Sequence, residues 1–554
     1  GTGIIVSAGE AHFQRILPSN TRNSFVHVTG GVFTATEIDF PRSGDSENQA
    51  IAAGVHISGG DATVGLLGLG TANSWGALTV SGGRLTVTDT INNGYQVTSA
   101  RGGVITVRGG ELNVPNTDPG KGLIMGRNPG SNPNNVSKLI INGGVVNAGR
   151  ITLGYDATSS AGSSTVALNN GELSLGAGGI VKNGAAGLAS SLTLTSGVLG
   201  AVDDWSTTHP LLLAGSPATF AIRAAAADGT PHMIVLTGQL RDAAGVAGGF
   251  AKTGAGRLVL GGANDFTGDV VVQHGELSVS GSLGAGGEVS LNAGTLSGTG
   301  AIAKPIVLNS GAAVSPGNDS VDTLTADSLV WNGGGTLVFD LGATSSDRLS
   351  LDGALAKGTS GAFTFAFSPI EPLIVGTTYT LVDFGSTDFS ATDFSATGLG
   401  YAKGVFSVSA NAVHFTLTSD GSGALAYQAW ADAHGLPANA AGPADDADGD
   451  GVPNLLEFAL AQNPLAFGGV KPVMVTHDEA GELYPAMRFV RRIDRGDVTV
   501  DVHVSTGLDF ADSLGAIEVS ATDRGDGTEL VVVRSAVPLS AEPRQFLRVE
   551  ASLP

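Results

Sequence analysis

The chain has 554 residues, of which 84 are glycine and none is cysteine, and its formal net charge is −22. Without cysteine it has no disulfides and no thiolate metal sites, and its acidic balance argues against nucleic acid as a partner. The glycines lack the three-residue period of collagen, and a 42% hydrophobic content is too high for a disordered chain. What remains is many short strands joined by tight turns, in several domains or one elongated repeat array.

The chain begins at Gly1, from which we expect export and removal of a signal peptide. No apolar run reaches transmembrane length. A repeated phrase then dominates, in which two short alternating runs flank a turn glycine: Gly31, Gly60, Gly83, Gly110, Gly144, Gly171 and Gly197. Five and three residues before that glycine stand Val26 and Val28, Val55 and Ile57, Leu78 and Val80, Ile105 and Val107. Two and four residues after it stand Phe33 and Ala35, Ala62 and Val64, Leu85 and Val87, Leu112 and Val114. Period-two alternation predicts strands with one buried face. The steps between glycines are 29, 23, 27, 34, 27 and 26 residues, which suits a solenoid with loops of unequal length better than a meander of hairpins. Coils about 4.8 Å apart would make residues 1–415 a parallel β-helix on the order of 70 Å long.

His27 and His56 take equivalent outward positions in consecutive coils, followed by Thr79 and Thr106, so a solvated polar stack is expected and not a metal site. Residues 116–135, rich in Asn, Pro and Gly, read as an extruded loop able to bind a partner. The less regular stretch 201–248 contains Asp203 and Asp204 beside Trp205 and His209, the nearest approach to a polysaccharide-cleaving site. A loop turn explains those residues equally well. No GxSxG elbow or comparable triad is present.

The glycine phrase returns at Gly275 and Gly294. Residues 249–279 carry Lys252-Thr253-Gly254-Ala255-Gly256, Leu258 and Leu260, Asn264, Phe266-Thr267-Gly268 and Gly275-Glu276-Leu277. This segment resembles the autotransporter-associated β-strand repeat, and Gly311–Thr325 looks like the coil that follows it in such proteins. The resemblance implies a right-handed β-helix exported to the cell exterior. Fewer than a hundred residues follow residue 467, too few for a large membrane barrel, so export through a barrel of its own is not expected.

Tyr427–His434 reads as a short helix with Tyr427 and Trp430 on one face. After it, Asp446, Asp448, Asp450, Val452, Asn454 and Glu457 fall at the first, third, fifth, seventh, ninth and twelfth positions of an EF-hand or dockerin-like calcium loop. Calcium takes six to eight hard oxygens, Gly451 permits the sharp turn, Val452 offers its carbonyl and Glu457 both carboxylate oxygens. The exiting helix is expected at Asn454–Ala461. An acidic solvated loop capping a helix is the alternative. The phrases YQAWADAHGLP, DDADGDGVPNLLEFALAQNP and PRQFLRVEASLP resemble a tail of large exported repeat proteins of Verrucomicrobia-like bacteria. Residues 467–554 alternate in short strands and suggest a small β-sandwich, with Arg488, Arg491, Arg492 and Arg495 expected to pair with Asp494, Asp497 and Asp501; docking on an acidic face of a neighbouring subunit is the alternative.

The expected architecture is therefore all-β: a right-handed parallel β-helix over 1–415, a helix–calcium loop–helix segment over 424–466 and a sandwich-like module over 467–554. The expected role is a non-catalytic structural protein of the cell surface that binds Ca2+ and self-associates, by head-to-tail stacking or as a fibre. An adhesin for surface glycans or host proteins is the alternative, and a polysaccharide-degrading enzyme a third.

Overall fold

A computed structural model describes residues 3–17, 24–40, 47, 54–70, 75–94, 102–126, 135–317, 320–469 and 471–554. The alternation becomes parallel strands in register. Val26 lies against Val55, Val55 against Leu78, Leu78 against Ile105, Ile105 against Leu139 and Leu139 against Val166. Each is buried, as are Phe33, Ala62, Leu85, Leu112 and Val146 in the column across the turn. A single apolar core runs from Val6 to Leu417, so the described coils form one β-helix.

The turn glycines stack as well. Gly31, Gly60, Gly83, Gly110 and Gly144 all have positive φ, between 63° and 75°. A Cβ on Gly60 would stand 2.4 Å from the carbonyl oxygen of Gly31, and one on Gly83 would stand 2.4 Å from that of Gly60. The corner is glycine for two reasons at once, its left-handed backbone and the close approach of the preceding coil.

The stack begins one coil earlier than the phrase suggests. Gly3–Val6 and Glu10–Ile16 pair in parallel with Phe25–Phe40, and Gly9 sits beneath Gly31. The loop expected at 116–135 is partly strand: Gly122–Met125 pairs into the wall and is wholly buried, because Leu123, Ile124 and Met125 are apolar. Residues 127–134 of that loop lie outside the described residues. The stretch 201–248 also keeps the coil. From Ala189 to Leu236 each turn uses three short strands, and each pairs with the strand three further on, as Trp205–Thr207 does with Ile234–Leu236.

The motif residues at 249–279 act between coils. Lys252 takes an inward position, between Ile222 and Val272, and is fully buried. Its ammonium donates to the carbonyls of Thr253, Gly254 and His274 at 3.1, 2.8 and 2.8 Å, and burial lowers its pKa to about 8. The buried Asn264 accepts from the Leu240 amide at 2.9 Å and donates to the carbonyls of Gly262 and Ser282, each at 2.9 Å. One side chain thus ties three coils. Asn264→Ala leaves a buried donor and two carbonyls short of a partner, and should cost about 2–4 kcal/mol. The check is a lowered urea midpoint with no change in the folded spectrum.

The parallel coils end at Phe394–Thr397. Ala412–Ser419 then pairs antiparallel with both Thr378–Asp383 and Lys403–Val408, covering the end of the stack over a cluster of rings that includes Trp331, Phe365, Phe394, Phe406 and Phe415. The antiparallel strand takes up the edge of Thr378–Asp383 that a further parallel coil would use.

Beyond the cap come helix α1 (Ser422–Ala433), starting five residues before the expected point, and the short helix α2 (Asn454–Ala459). Two antiparallel sheets follow. One orders the strands 473–479, 482–492, 528–535 and 516–523, and the other pairs 499–505 with 546–552. Met487, Phe489, Val531 and Val533 of the first share a core with Val502, Val504 and Val549 of the second, and with Leu460. The arginine partners differ from expectation. Arg491 pairs with Glu518 at 3.0 Å and Glu529 at 2.7 Å, because the neighbouring strand is 528–535 and not the one carrying Asp501. Asp497 instead accepts from the Gly423 amide at 2.6 Å and from the Ser419 hydroxyl, joining this region to the end of the β-helix.

Candidate metal centre

The loop before α2 is shaped by its own aspartates. The Asp446 carboxylate accepts from the amides of Gly449 and Gly451, each at 2.8 Å, and Asp448 from that of Asp450 at 3.0 Å. Asp450 accepts from Val452 at 2.9 Å and from Gly468 at 3.0 Å. Gly449 and Gly451 are left-handed, with φ of 77° and 88°, which lets the chain wrap inward. The outcome is that Asp446, Asp448 and Asp450 each present an oxygen within 4.8 Å of the other two.

Glu457 completes the concentration of negative charge. It lies on α2 and is fully buried, yet neither of its carboxylate oxygens has a hydrogen-bond partner, nor does Oδ2 of Asp448. Burial, followed by the charges of Asp448, Asp450 and Asp446, pushes its carboxyl up to about 7. An unpartnered buried carboxylate facing three others is costly on its own and favourable around a cation. The donors are all oxygens, which suits calcium and not a softer metal.

The remaining two loop residues divide. Val452 follows the turn and donates its amide to Asp450 at 2.9 Å. Asn454 is buried and engaged in the scaffold: its amide donates to the carbonyls of Ala440 at 2.8 Å and Gly442 at 3.1 Å, and its oxygen accepts from Ala447 at 3.2 Å. It pins the loop entry to the start of α2.

The loop sits at a joint. Phe458 and Leu455 of α2 pack with Tyr427 and Trp430 of α1 and with Val498 of the C-terminal sheets, while Leu460, just beyond α2, enters the core of those sheets. The Tyr427 hydroxyl donates to Ala441 at 2.8 Å, and the Lys403 ammonium donates to the carbonyl of Pro554 at 2.6 Å.

The residues weighed for catalysis are placed otherwise. Trp205 is buried with its indole donating to Gly200, so it is no platform for a sugar. His209 is buried and bonded to Ser190 and Pro210. Asp204 accepts from the Met233 amide at 2.8 Å and lies 3.3 Å from His232, a neighbour brought in by coil register alone. His27 and His56 are neighbours in the column with ring centroids 4.4 Å apart and the rings edge to face, and Thr79 follows His56.

Residues 250–279 match the passenger-associated transport repeat family. No curated protein matches the chain. The repeat belongs to autotransporter passenger regions and implies a secreted or surface-exposed protein. No helix among the described residues is long and apolar enough to cross a membrane.

Proposed function

We propose that the chain is a non-catalytic structural rod of the bacterial surface, in which a Ca2+ ion fastens a C-terminal module to the end of a right-handed β-helix. The observation that carries this reading is the buried Glu457 carboxylate, unpartnered and turned toward Asp446, Asp448 and Asp450. The helix–loop–helix segment around 424–466 acts as the joint, and the two sheets of 467–554 as a sandwich-like end piece. Direct ligands would be Asp446, Asp448, Asp450, the Val452 carbonyl and Glu457, with Asn454 holding the loop in shape. The coil residues support a structural role, since Lys252 and Asn264 join one coil to the next.

Calorimetric titration of the chelated chain with CaCl2 tests the site. We expect one ion per chain with a dissociation constant on the order of 10⁻⁵ M or tighter, as four carboxylates in one loop favour. No heat and no change in melting temperature on adding calcium would refute it.

A shallow groove on the side of the β-helix favours a second reading, an adhesin for surface glycans. It encloses about 610 Å³ and is lined across successive coils by Arg257, Glu276, Thr295, Ser297, Ser315 and Asp340. Such a row of small hydroxyl side chains offers both donors and acceptors to a polyhydroxylated chain.

A further inference from the structure

The C-terminal sheets carry a concavity that the calcium joint does not use. It encloses about 530 Å³ between residues 460–469 with Lys471 on one side and the face of the four-stranded sheet on the other. Its floor is apolar, with Leu460, Val473, Val490 and Leu530. Lys471, Arg488 and Arg524 line it, and no acidic residue does, in a chain with 50 acidic and 28 basic side chains. Arg524 lies 3.7 Å from Asp526, whereas Lys471 and Arg488 make no ion pair among the described residues.

The side of the β-helix offers the complement. At the turn where two coils meet, Val202 and Met233 are exposed to 43% and 42%, large values for apolar side chains. Between them stand the exposed Asp203 and Asp204, which no arginine or lysine pairs among the described residues; their partners are backbone amides and His232. Two apolar knobs with two uncompensated carboxylates match an apolar floor rimmed by three cations.

We propose that this groove receives the Val202–Asp204 and Met233 patch of a second copy of the chain. The two surfaces differ, so each copy offers one patch and one groove, and the contact propagates into chains unless it closes on itself. A contact of this extent is small and charge-driven, hence weak and salt-sensitive. The expected self-association thereby acquires defined surfaces on the flank and the end module, in place of the capped end of the coil.

Sedimentation velocity of the full chain with calcium present tests the assignment. Wild type should associate with rising concentration at low ionic strength and return to monomer at about 0.5 M NaCl, where the screening length falls to a few ångströms. K471E/R488E and D203K/D204K should each be monomeric, with self-affinity lowered at least tenfold. Mixing the two variants should restore association through the swapped charges. M233S, which keeps both carboxylates, should weaken it severalfold. Wild type that stays monomeric at all concentrations, or variants that associate unchanged, would overturn the proposal. So would a mixture that fails to pair, or a D203K/D204K variant that still associates while K471E/R488E does not. That last result would point to another occupant of the groove, such as the exposed Leu508 beside Asp509. Calcium titration of D203K/D204K and M233S keeps the two readings separate, since those substitutions fall on the β-helix; Lys471 acts electrostatically on Asp450, so R488E alone stands beside K471E/R488E as the groove variant that leaves the loop charges in place.

Discussion

Glu457→Gln should raise the calcium dissociation constant at least about a hundredfold, because it removes a charged oxygen from the sphere while keeping the side chain's size. Without calcium the same substitution should act in the opposite direction. The Glu457 carboxyl is pushed from its ordinary 4.5 up to about 7, so in the apo chain its ionisation opposes folding. That penalty is absent below the unfolded pKa, grows as pH rises from about 4.5 and is complete above about 7. In chelator at pH 7.5, E457Q should therefore melt higher than wild type, and the difference should shrink as pH falls and vanish below about pH 4. In excess calcium the order should reverse. Melting curves of both proteins, with and without calcium at two pH values, separate this from a general loss of packing, which would lower stability under every condition.

Gly110→Val should destabilise the coil by about 3–5 kcal/mol, combining a left-handed backbone with a collision. Gly110 has a φ of 67°, and a Cβ there would stand 2.5 Å from the carbonyl oxygen of Gly83 and 2.6 Å from the carbonyl carbon of Gly82. Neither backbone atom can retreat without moving its own coil. Gly120→Val is the matched control: its φ is 81°, and nothing lies within 4 Å of the added carbon. Only the backbone cost applies there, about 1–2 kcal/mol. A larger loss at 120 than at 110 would mean that the coil stack does not set the glycine requirement. Denaturant midpoints of the two variants give the comparison directly.

The coil stack was legible in the sequence where its strands were long. From Val26 to Val114 the apolar residues alternate around a fixed glycine, and period two leaves little choice of buried face. The signal faded where strands shortened to three residues, as at Trp205–Thr207 and Leu211–Leu213, since so short a run does not distinguish a strand from a loop. It also faded in the first coil, where Glu10–Ile16 faces solvent on nearly every residue and lacks a clear apolar period. The antiparallel cap was hidden for another reason: Ala412–Ser419 alternates like any other strand, and direction leaves no mark on the pattern.

The cluster of Asp446, Asp448 and Asp450 was readable because these residues are neighbours in the chain, and their spacing alone brings them together. Asn454 shows where such reading stops. Its amide is taken by carbonyls at 440 and 442, which no spacing rule connects to position 454. The same holds for Arg491, whose partners Glu518 and Glu529 come from strands that adjoin it only after folding.

The claim that calcium fastens the end module to the β-helix is tested most directly by hydrogen exchange of the full chain with calcium and in chelator. The account predicts that calcium slows exchange across 442–468 and in the packed neighbours Tyr427–Ala431 and Val498–Val504, with the coils from 26 to 397 unchanged. Identical exchange in both conditions, or protection spread evenly over the coils, would contradict it.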